Sequence, residues 1–116
     1  MMRRGEVRLV DLDPVRGSEA NKRRPAVVVS NDQANAVAER LGRGVVTVVP
    51  VTSNTARVFP FQVLLAAEDT GLHVESKAQA EQVRAVSVDR LGPALGRLPA
   101  GAMGALDEAL RLHLAL

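Results

Sequence analysis

The sequence predicts a mainly β domain, a compact antiparallel sheet or barrel with short helices and a helix at its C-terminal end. Short valine-rich runs bounded by turn residues predict buried strands, most clearly at residues 26–30 and 45–51. After Pro99 the apolar residues recur at helical spacing instead: Met103, Leu106, Leu110 and Leu114. The 116 residues suit a single domain, 1–116, with one core.

Three strands are predicted in the first half of the chain. Residues 5–12 alternate between apolar and polar side chains, whereas residues 26–30 and 45–51 are apolar enough to be buried on both faces. Pro50 near the end of the third run predicts a sheet edge or a bulge there. Residues 13–25 hold two prolines, a glycine and many charges, which predicts a long polar loop of the kind that often carries function.

The remaining elements are a short helix, further strands and the terminal helix. A helix is predicted over residues 33–42, because Asn31 or Asp32 can cap its start and Gly42 can end it. Pro99 suits the first turn of the terminal helix. Further strands are predicted at 59–66, at 83–88 and, as a strand or connector, at 92–99.

Composition argues against several classes of protein. Without cysteine the chain has no disulfide framework and no thiolate nucleophile, so a reducing cytoplasm is the expected location. No apolar stretch approaches the roughly 18–20 residues that span a bilayer, and Asp11 and Asp13 interrupt the N-terminal segment too early for a signal peptide. His73 and His113 lie far apart in sequence, and no carboxylates show metal-ligand spacing, so we expect neither a metal nor a cofactor.

Charge is unevenly distributed along the chain. Residues 1–57 hold ten Arg and Lys against six Asp and Glu, whereas residues 58–116 hold five against seven. The first half is therefore the better candidate for contact with a polyanion, although a mixed, solvated surface fits the charge alone equally well.

Three cations stand directly against an apolar run at residues 22–29. Arg24 precedes Pro25, which biases its backbone towards extended geometry, and the buried strand that follows makes the position rigid. A guanidinium held in this way can clamp a phosphate and stabilise negative charge developing on it. Lys22 and Arg23 are expected to remain mobile and to gather the polyanion.

Two further polar groups stand where predicted strands are interrupted. Thr52, Ser53 and Asn54 follow a buried strand, and Glu81 and Gln82 interrupt a strand-like run. Taken alone, Thr52 is more simply a β-branched residue ending a strand, and the Glu81–Gln82 pair a solvent-facing edge.

Six segments, in order and at near-family spacing, resemble the MazF/PemK family of toxin endoribonucleases from bacterial type II toxin–antitoxin pairs. They are RRGEVRLVDLDPVRGSE, RRPAVVVSND, VVPVTSN, FPFQVLL, AEQVRAVSVDRLG and LDEALRLHL. The resemblance implies an SH3-like β-barrel with a C-terminal helix, the MazF/PemK/CcdB-like fold, assembled as a homodimer. It also implies metal-independent, sequence-specific cleavage of single-stranded RNA, which leaves 2′,3′-cyclic phosphate and 5′-hydroxyl ends and inhibits translation and growth. A cognate MazE-like antitoxin is the implied partner.

The resemblance also assigns roles to residues. It implies that Arg24 is a principal catalytic residue with Thr52 as its partner, and Glu81 falls where some members carry a functional aspartate. Since an arginine stays protonated at neutral pH, Glu81 is the candidate base. Some members have a histidine in the first long loop; this chain has none, so no histidine receives a role.

RNA bases must be bound with little stacking on aromatic side chains, because the chain has no Tyr or Trp. Phe59 and Phe61 share a face and are expected to fill the core or a dimer interface. The candidate RNA-binding residues are Glu19, Asn21, Lys22, Arg23, Ser53, Asn54, Arg57, Gln79 and Gln82.

Two other functions remain open at this point. A non-catalytic RNA-binding barrel would use the same basic loop, with Arg24 and Thr52 affecting affinity rather than turnover. A CcdB-like gyrase-poisoning toxin shares the implied fold, but it depends on a tryptophan-containing C-terminal end, and this chain has no tryptophan.

Overall fold

An antiparallel sheet of seven strands forms the body of the protein, with a helix after its second strand and another at its end. The computed structural model describes residues 1–13, 17–19 and 22–116. The strands are β1 Glu6–Asp11, β2 Arg23–Val28, β3 Val45–Thr52, β4 Gln62–Leu65, β5 Ser76–Gln79, β6 Arg84–Ser87 and β7 Leu91–Arg97. The helices are α1 Asp32–Leu41 and α2 Ala100–Leu114, and two short 3₁₀ turns are Ala80–Gln82 and Val88–Arg90. The predicted mainly β fold with a C-terminal helix is confirmed. None of the described helices is long and apolar enough to cross a membrane.

β3 lies at the centre of the sheet. The strand order is β4-β5-β3-β2-β1-β7, and β6 pairs with the first part of β3. Pro50, predicted to mark an edge or a bulge, instead lies opposite Ala26 of β2. On the other side of β3, pairing passes from β6 at Val48 to β5 at Val51. Pro50 stands in that gap, so its missing N–H costs the sheet no ladder hydrogen bond there.

The valine-rich strands supply two apolar clusters, one on each face of the sheet. Val49 and Val51 pack in the cluster that α2 covers with Leu106. Val46 and Val48 pack in the other cluster, which α1 covers with Ala38. Burying a valine side chain contributes roughly 1.5–3 kcal/mol, so β3, buried on both faces, is the most firmly held strand of the domain.

The two ends of the strand path meet where the segment before β5 crosses β7. A β-carbon on Gly71 would lie 2.0 Å from the carbonyl oxygen of Leu95, and one on Gly96 would lie 2.2 Å from the carbonyl oxygen of Thr70. Backbones can approach this closely only without side chains between them. The paired glycines therefore let the sheet curl into a barrel-like shape and fix residues 70–71 against β7.

Several boundaries differ from those that the sequence predicts. β2 begins at Arg23 rather than at residue 26, and the sequence did not predict β5 at all. β5 lies between β3 and β4 and is largely buried, although its sequence, SKAQ, has no apolar pattern. Helix α1 begins as predicted: Asn31 Oδ1 accepts a hydrogen bond from the Ala34 backbone N–H at 2.8 Å, and Gly42 ends the helix in a left-handed conformation.

Candidate active site

The register of β2 against β3 brings the two principal candidates together. Ala26 lies opposite Pro50 and Val27 opposite Val49. The pairing of β2 with β3 ends at Ala26 and Pro50, and Arg24 and Thr52 stand two residues beyond that last pair on their strands. Arg24 and Thr52, 28 positions apart in the chain, therefore lie at the same end of two neighbouring strands.

Both residues line one cleft of about 310 Å³. β2 and the residue before it contribute Lys22, Arg23 and Arg24, and the end of β3 contributes Thr52 and Ser53. The rest of the lining is Pro25, Val51, Leu72, His73, Val74 and Ser76. Among the residues that the structure describes, three cations and no carboxylate line the cleft. Such a lining attracts an anion and suits a phosphate.

The hydroxyl of Thr52 is oriented by the turn that follows β3. Its Oγ1 accepts a hydrogen bond from the Asn54 backbone N–H at 3.2 Å, and Asn54 Oδ1 accepts one from Ala56 N–H at 3.3 Å. The hydroxyl proton of Thr52 can therefore be donated to a ligand in the cleft, and the oxygen keeps a second lone pair that can accept. Ser53 is exposed beside it at the rim.

Lys22 and Arg23, expected to be mobile, have backbones that hydrogen-bond to or pair with residues of β1 and its C-terminal extension. Arg23 is the first residue of β2 and lies opposite Asp11 of β1. Lys22 adopts a left-handed conformation, donates its backbone N–H to Asp13 Oδ1 at 2.9 Å and accepts from Leu12 N–H at 3.0 Å. Both side chains remain exposed, so the cations are presented from an ordered edge rather than from a free loop.

Arg23 also lines a second, adjacent cleft of about 460 Å³. Its other charged lining residues are Asp11, Asp13, Asp89 and Arg90. Carboxylates line that cleft beside Arg23, whereas the described charged residues that line the cleft of Arg24 are all cations. Arg23 therefore stands on the boundary between an anion-attracting cleft and a mixed one.

Glu81 is not brought to the cleft. Its Oε2 accepts a hydrogen bond from Gln62 Nε2 at 2.6 Å, and Gln62 Oε1 in turn accepts from the Phe59 backbone N–H at 3.0 Å. Its Oε1 is buried without a hydrogen-bond partner among the described residues. The Glu81 carboxylate thus stabilises the β3–β4 connection through Gln62. The 3₁₀ turn at Ala80–Gln82 directs this carboxylate to β4 instead of to Arg24 and Thr52.

The other predicted RNA-binding residues that the structure describes are not among the residues that line the cleft: Glu19, Asn54, Arg57, Gln79 and Gln82. Gln82 Nε2 donates to the Ser18 carbonyl at 3.1 Å, which ties the tip of the first loop to the β5–β6 turn near Glu19. Arg57 lies over the Phe59 ring at 4.7 Å, and its carbonyl accepts from the buried Lys77 ammonium at 2.5 Å. The predicted contact residue Asn21 lies outside the described residues, and Gln79 is half-buried in β5.

Phe59 and Phe61 stack on each other with ring centroids 5.4 Å apart. Phe59 is 37% exposed, so of its two predicted positions it does not take the core, and the dimer interface stays a prediction. Phe61 is half-buried and also lies 6.3 Å from the ring of His113 on α2.

One cleft residue was missed by sequence reasoning. His73 lines the cleft with Arg24 and Thr52, although it lies in the connection between β4 and β5. The sequence places His73 directly after a turn and far from His113, and neither fact pointed to a functional role. The signal that could have found it is Gly71, two residues earlier, whose positive φ marks a constrained backbone.

Comparison with known proteins gives consistent matches along the chain. The family model described as PemK-like, MazF-like toxin of type II toxin–antitoxin system matches residues 3–114. Endoribonuclease MazF9 of Mycobacterium tuberculosis is 67% identical over 116 residues, which cover 100% of this chain and 98% of the relative.

Solved structures agree with the family match. The crystal structure of MazF from Deinococcus radiodurans superposes with a TM-score of 0.83 at 28% identity, covering 99% of this chain and 97% of that one. An endoribonuclease in complex with its cognate antitoxin from a mycobacterial species gives a TM-score of 0.79 at 25% identity, covering 100% and 97%. The chain belongs to the PemK-like, MazF-like toxin family of type II toxin–antitoxin systems, and it is an endoribonuclease.

Proposed function

We propose that the protein cuts single-stranded RNA at short sequence motifs by metal-independent attack of the RNA's own 2′-hydroxyl. The observation that carries the proposal is that Arg24 and Thr52 line one cationic cleft, in a chain of this toxin family. The products are a 2′,3′-cyclic phosphate and a 5′-hydroxyl. Cutting messenger RNA in the cytoplasm, with transfer or ribosomal RNA as further targets, would stop translation and growth.

The cleft can serve the reaction mainly through charge and orientation. In the transition state, negative charge grows on the phosphoryl oxygens, and a preorganised donor that meets it there lowers the barrier. Arg24 supplies a guanidinium from a strand paired on both sides, and Thr52 supplies a hydroxyl donor beside it. Lys22 and Arg23, at the rim, can hold the neighbouring phosphates of the strand.

The nucleophile comes from the substrate in this scheme. The 2′-hydroxyl is held next to its own phosphorus, so the enzyme has to orient the strand and move protons rather than supply an attacking group. The cations of the chain meet the developing charge, so the step needs no metal ion.

A homodimer and an antitoxin complete the proposed system. The mycobacterial relative is described in complex with its cognate antitoxin, which supports a MazE-like partner here. A cleft lined by three cations and by Leu72 and Val74 fits an acidic, partly apolar segment. Such a segment would block RNA by occupying the same charges.

The test is cleavage of a defined RNA pool by purified protein in excess EDTA, with mapping of the new 5′ ends. Wild-type protein is expected to cut at a short motif and leave 5′-hydroxyl ends. Arg24→Ala is expected to lose about 10²–10³-fold in rate, the usual cost of removing one oxyanion donor. Arg40→Ala removes an exposed arginine from the last turn of α1, outside the cleft, and is the matched control.

Two results would contradict the proposal. Full activity of a folded Arg24→Ala protein would show that the Arg24 guanidinium takes no part in the reaction. Unchanged turnover with weaker RNA binding in that variant would point to the non-catalytic RNA-binding barrel.

A further inference from the structure

The proposed reaction needs a group that accepts the proton of the 2′-hydroxyl, and most of the cleft cannot supply one. A guanidinium and an ammonium offer only donors, and a neutral hydroxyl is a poor base at neutral pH. This leaves out Arg24, Lys22 and Thr52. Glu81, which the sequence suggested as the base, accepts a hydrogen bond from Gln62 and is not among the described residues that line the cleft.

Among the described residues that line the cleft, His73 is the one suited to accept a proton. A neutral imidazole has one acceptor nitrogen, and histidine is the side chain whose charge ordinarily changes between pH 5 and 8. Its side chain is exposed and borders the space that Arg24 and Thr52 also border.

The backbone that carries His73 is held firmly on its N-terminal side. Thr70 is 1% exposed, and its Oγ1 donates to the Ala66 carbonyl at 2.8 Å. Gly71 lies against the Leu95 backbone of β7, and Leu72 packs in the main apolar cluster. The residue just before His73 is thus anchored in the core.

The C-terminal side is tied as well. Ser76 Oγ donates to the Val74 carbonyl at 2.9 Å, and Ser76 opens β5, which pairs with β3 next to Thr52. A side chain held between two anchored stretches can keep the position that catalysis requires. His73 is therefore presented to the cleft by a fixed segment rather than by a freely moving loop.

We propose that His73 is the general base of the cleavage step, an assignment that rests on the proposed function. Its imidazole nitrogen takes the proton of the 2′-hydroxyl as that oxygen bonds to phosphorus. The bond from phosphorus to the 5′-oxygen breaks, and the leaving oxygen takes a proton from solvent. The result is a cyclic phosphate, a 5′-hydroxyl and an imidazolium, which returns its proton to water.

The described charged residues that line the cleft beside His73 are all cations. Lys22, Arg23 and Arg24 face the cleft from β2 and the residue before it, while the end of β3 and the start of β5 contribute only hydroxyl groups. Once RNA is bound, its phosphates balance those cations and accommodate the imidazolium that forms.

The test compares pH–rate profiles of wild-type protein, His73→Ala, His73→Gln and His113→Ala. Wild-type kcat/KM is expected to fall tenfold per pH unit on the acid side, because protonation removes the base. His73→Ala should lose this acid limb and about 10²–10⁴-fold in rate at pH 8, and added imidazole should restore part of it. His113→Ala, the other histidine, on α2, should keep the wild-type profile.

Binding separates a base from a structural residue. Each variant is titrated with an uncleavable RNA that carries a 2′-deoxy nucleotide at the cut site. His73→Ala and His73→Gln should bind it within about threefold of wild type while both remain slow, which places the loss in the chemical step.

Each outcome decides one of the two proposals. If Arg24→Ala is inactive but His73→Ala keeps the rate and acid limb of wild type, His73 is not the base and the proposed function stands. If His73→Gln restores full rate, the side chain only fills or orients the cleft, and the base assignment fails. If Arg24→Ala and His73→Ala both retain full activity, the cleft is not the active site.

Discussion

Replacing Gly71 by alanine tests how firmly the cleft is anchored to β7. Gly71 has φ +79°, which costs an L-residue about 1 kcal/mol. Its new β-carbon would lie 2.0 Å from the Leu95 carbonyl oxygen, a backbone atom that cannot turn aside. Overpacking of this kind costs about 1–3 kcal/mol. The free energy of unfolding should therefore fall by about 2–4 kcal/mol, a drop in Tm of roughly 8–16 °C for a domain of this size.

The assay is thermal and urea unfolding followed by circular dichroism, at one protein concentration for all variants. Gly104→Ala is the matched control, because Gly104 lies inside α2 with open space around its α-carbon. That change should raise stability by up to about 1 kcal/mol, the helix propensity difference. Gly96→Ala isolates the steric part, since its β-carbon would lie 2.2 Å from the Thr70 carbonyl oxygen. A Gly71→Ala protein as stable as wild type would refute the close contact between the two backbones.

Two further variants test the rim of the cleft and the carboxylate outside it. Lys22→Ala should weaken RNA binding about equally for all sequences and lower the slope of log affinity against log salt by about 0.7, which corresponds to one single-strand phosphate contact. Arg40→Ala should leave this slope unchanged. An unchanged slope in Lys22→Ala would show that Lys22 does not contact the RNA. Glu81→Ala should lower the free energy of unfolding by about 1–3 kcal/mol, because Gln62 loses a hydrogen bond to a charged partner, while Glu81→Gln should keep most of the cleavage rate. A hundredfold loss of cleavage rate in a stable Glu81→Gln protein would show instead that the Glu81 carboxylate takes part in proton transfer.

The part of the site that local pattern reaches is Arg24, whereas Thr52 was joined to it only by the family resemblance. The apolar runs predicted β2 and β3, and the register of two adjacent antiparallel strands then places their polar ends together. The prediction was wrong about where β2 begins, because the polar residue Arg23 still pairs with Asp11 of β1. Strand pairing, which is a tertiary effect, extended the strand past the end of its apolar pattern.

The parts that the sequence could not supply depend on contacts distant in sequence. β5 has no strand pattern and exists because it lies between β3 and β4. His73 reaches the cleft only because Gly71 meets β7 more than 20 residues further along the chain. The sequence also does not show that Glu81 lies in a 3₁₀ turn, from which its carboxylate accepts a hydrogen bond from Gln62. Pattern and spacing carry no information about such contacts.

The most direct test of the account is to place one 2′-deoxy nucleotide at a mapped cleavage site. An all-ribose RNA and its singly deoxy counterpart are incubated with wild-type protein in excess EDTA. If Arg24, Thr52 and His73 act on a 2′-hydroxyl nucleophile, the all-ribose RNA is cut to a 5′-hydroxyl end and the modified bond stays intact, although the protein binds both RNAs alike. Cleavage of the deoxy bond at a comparable rate would show that the nucleophile comes from elsewhere and would contradict the mechanism.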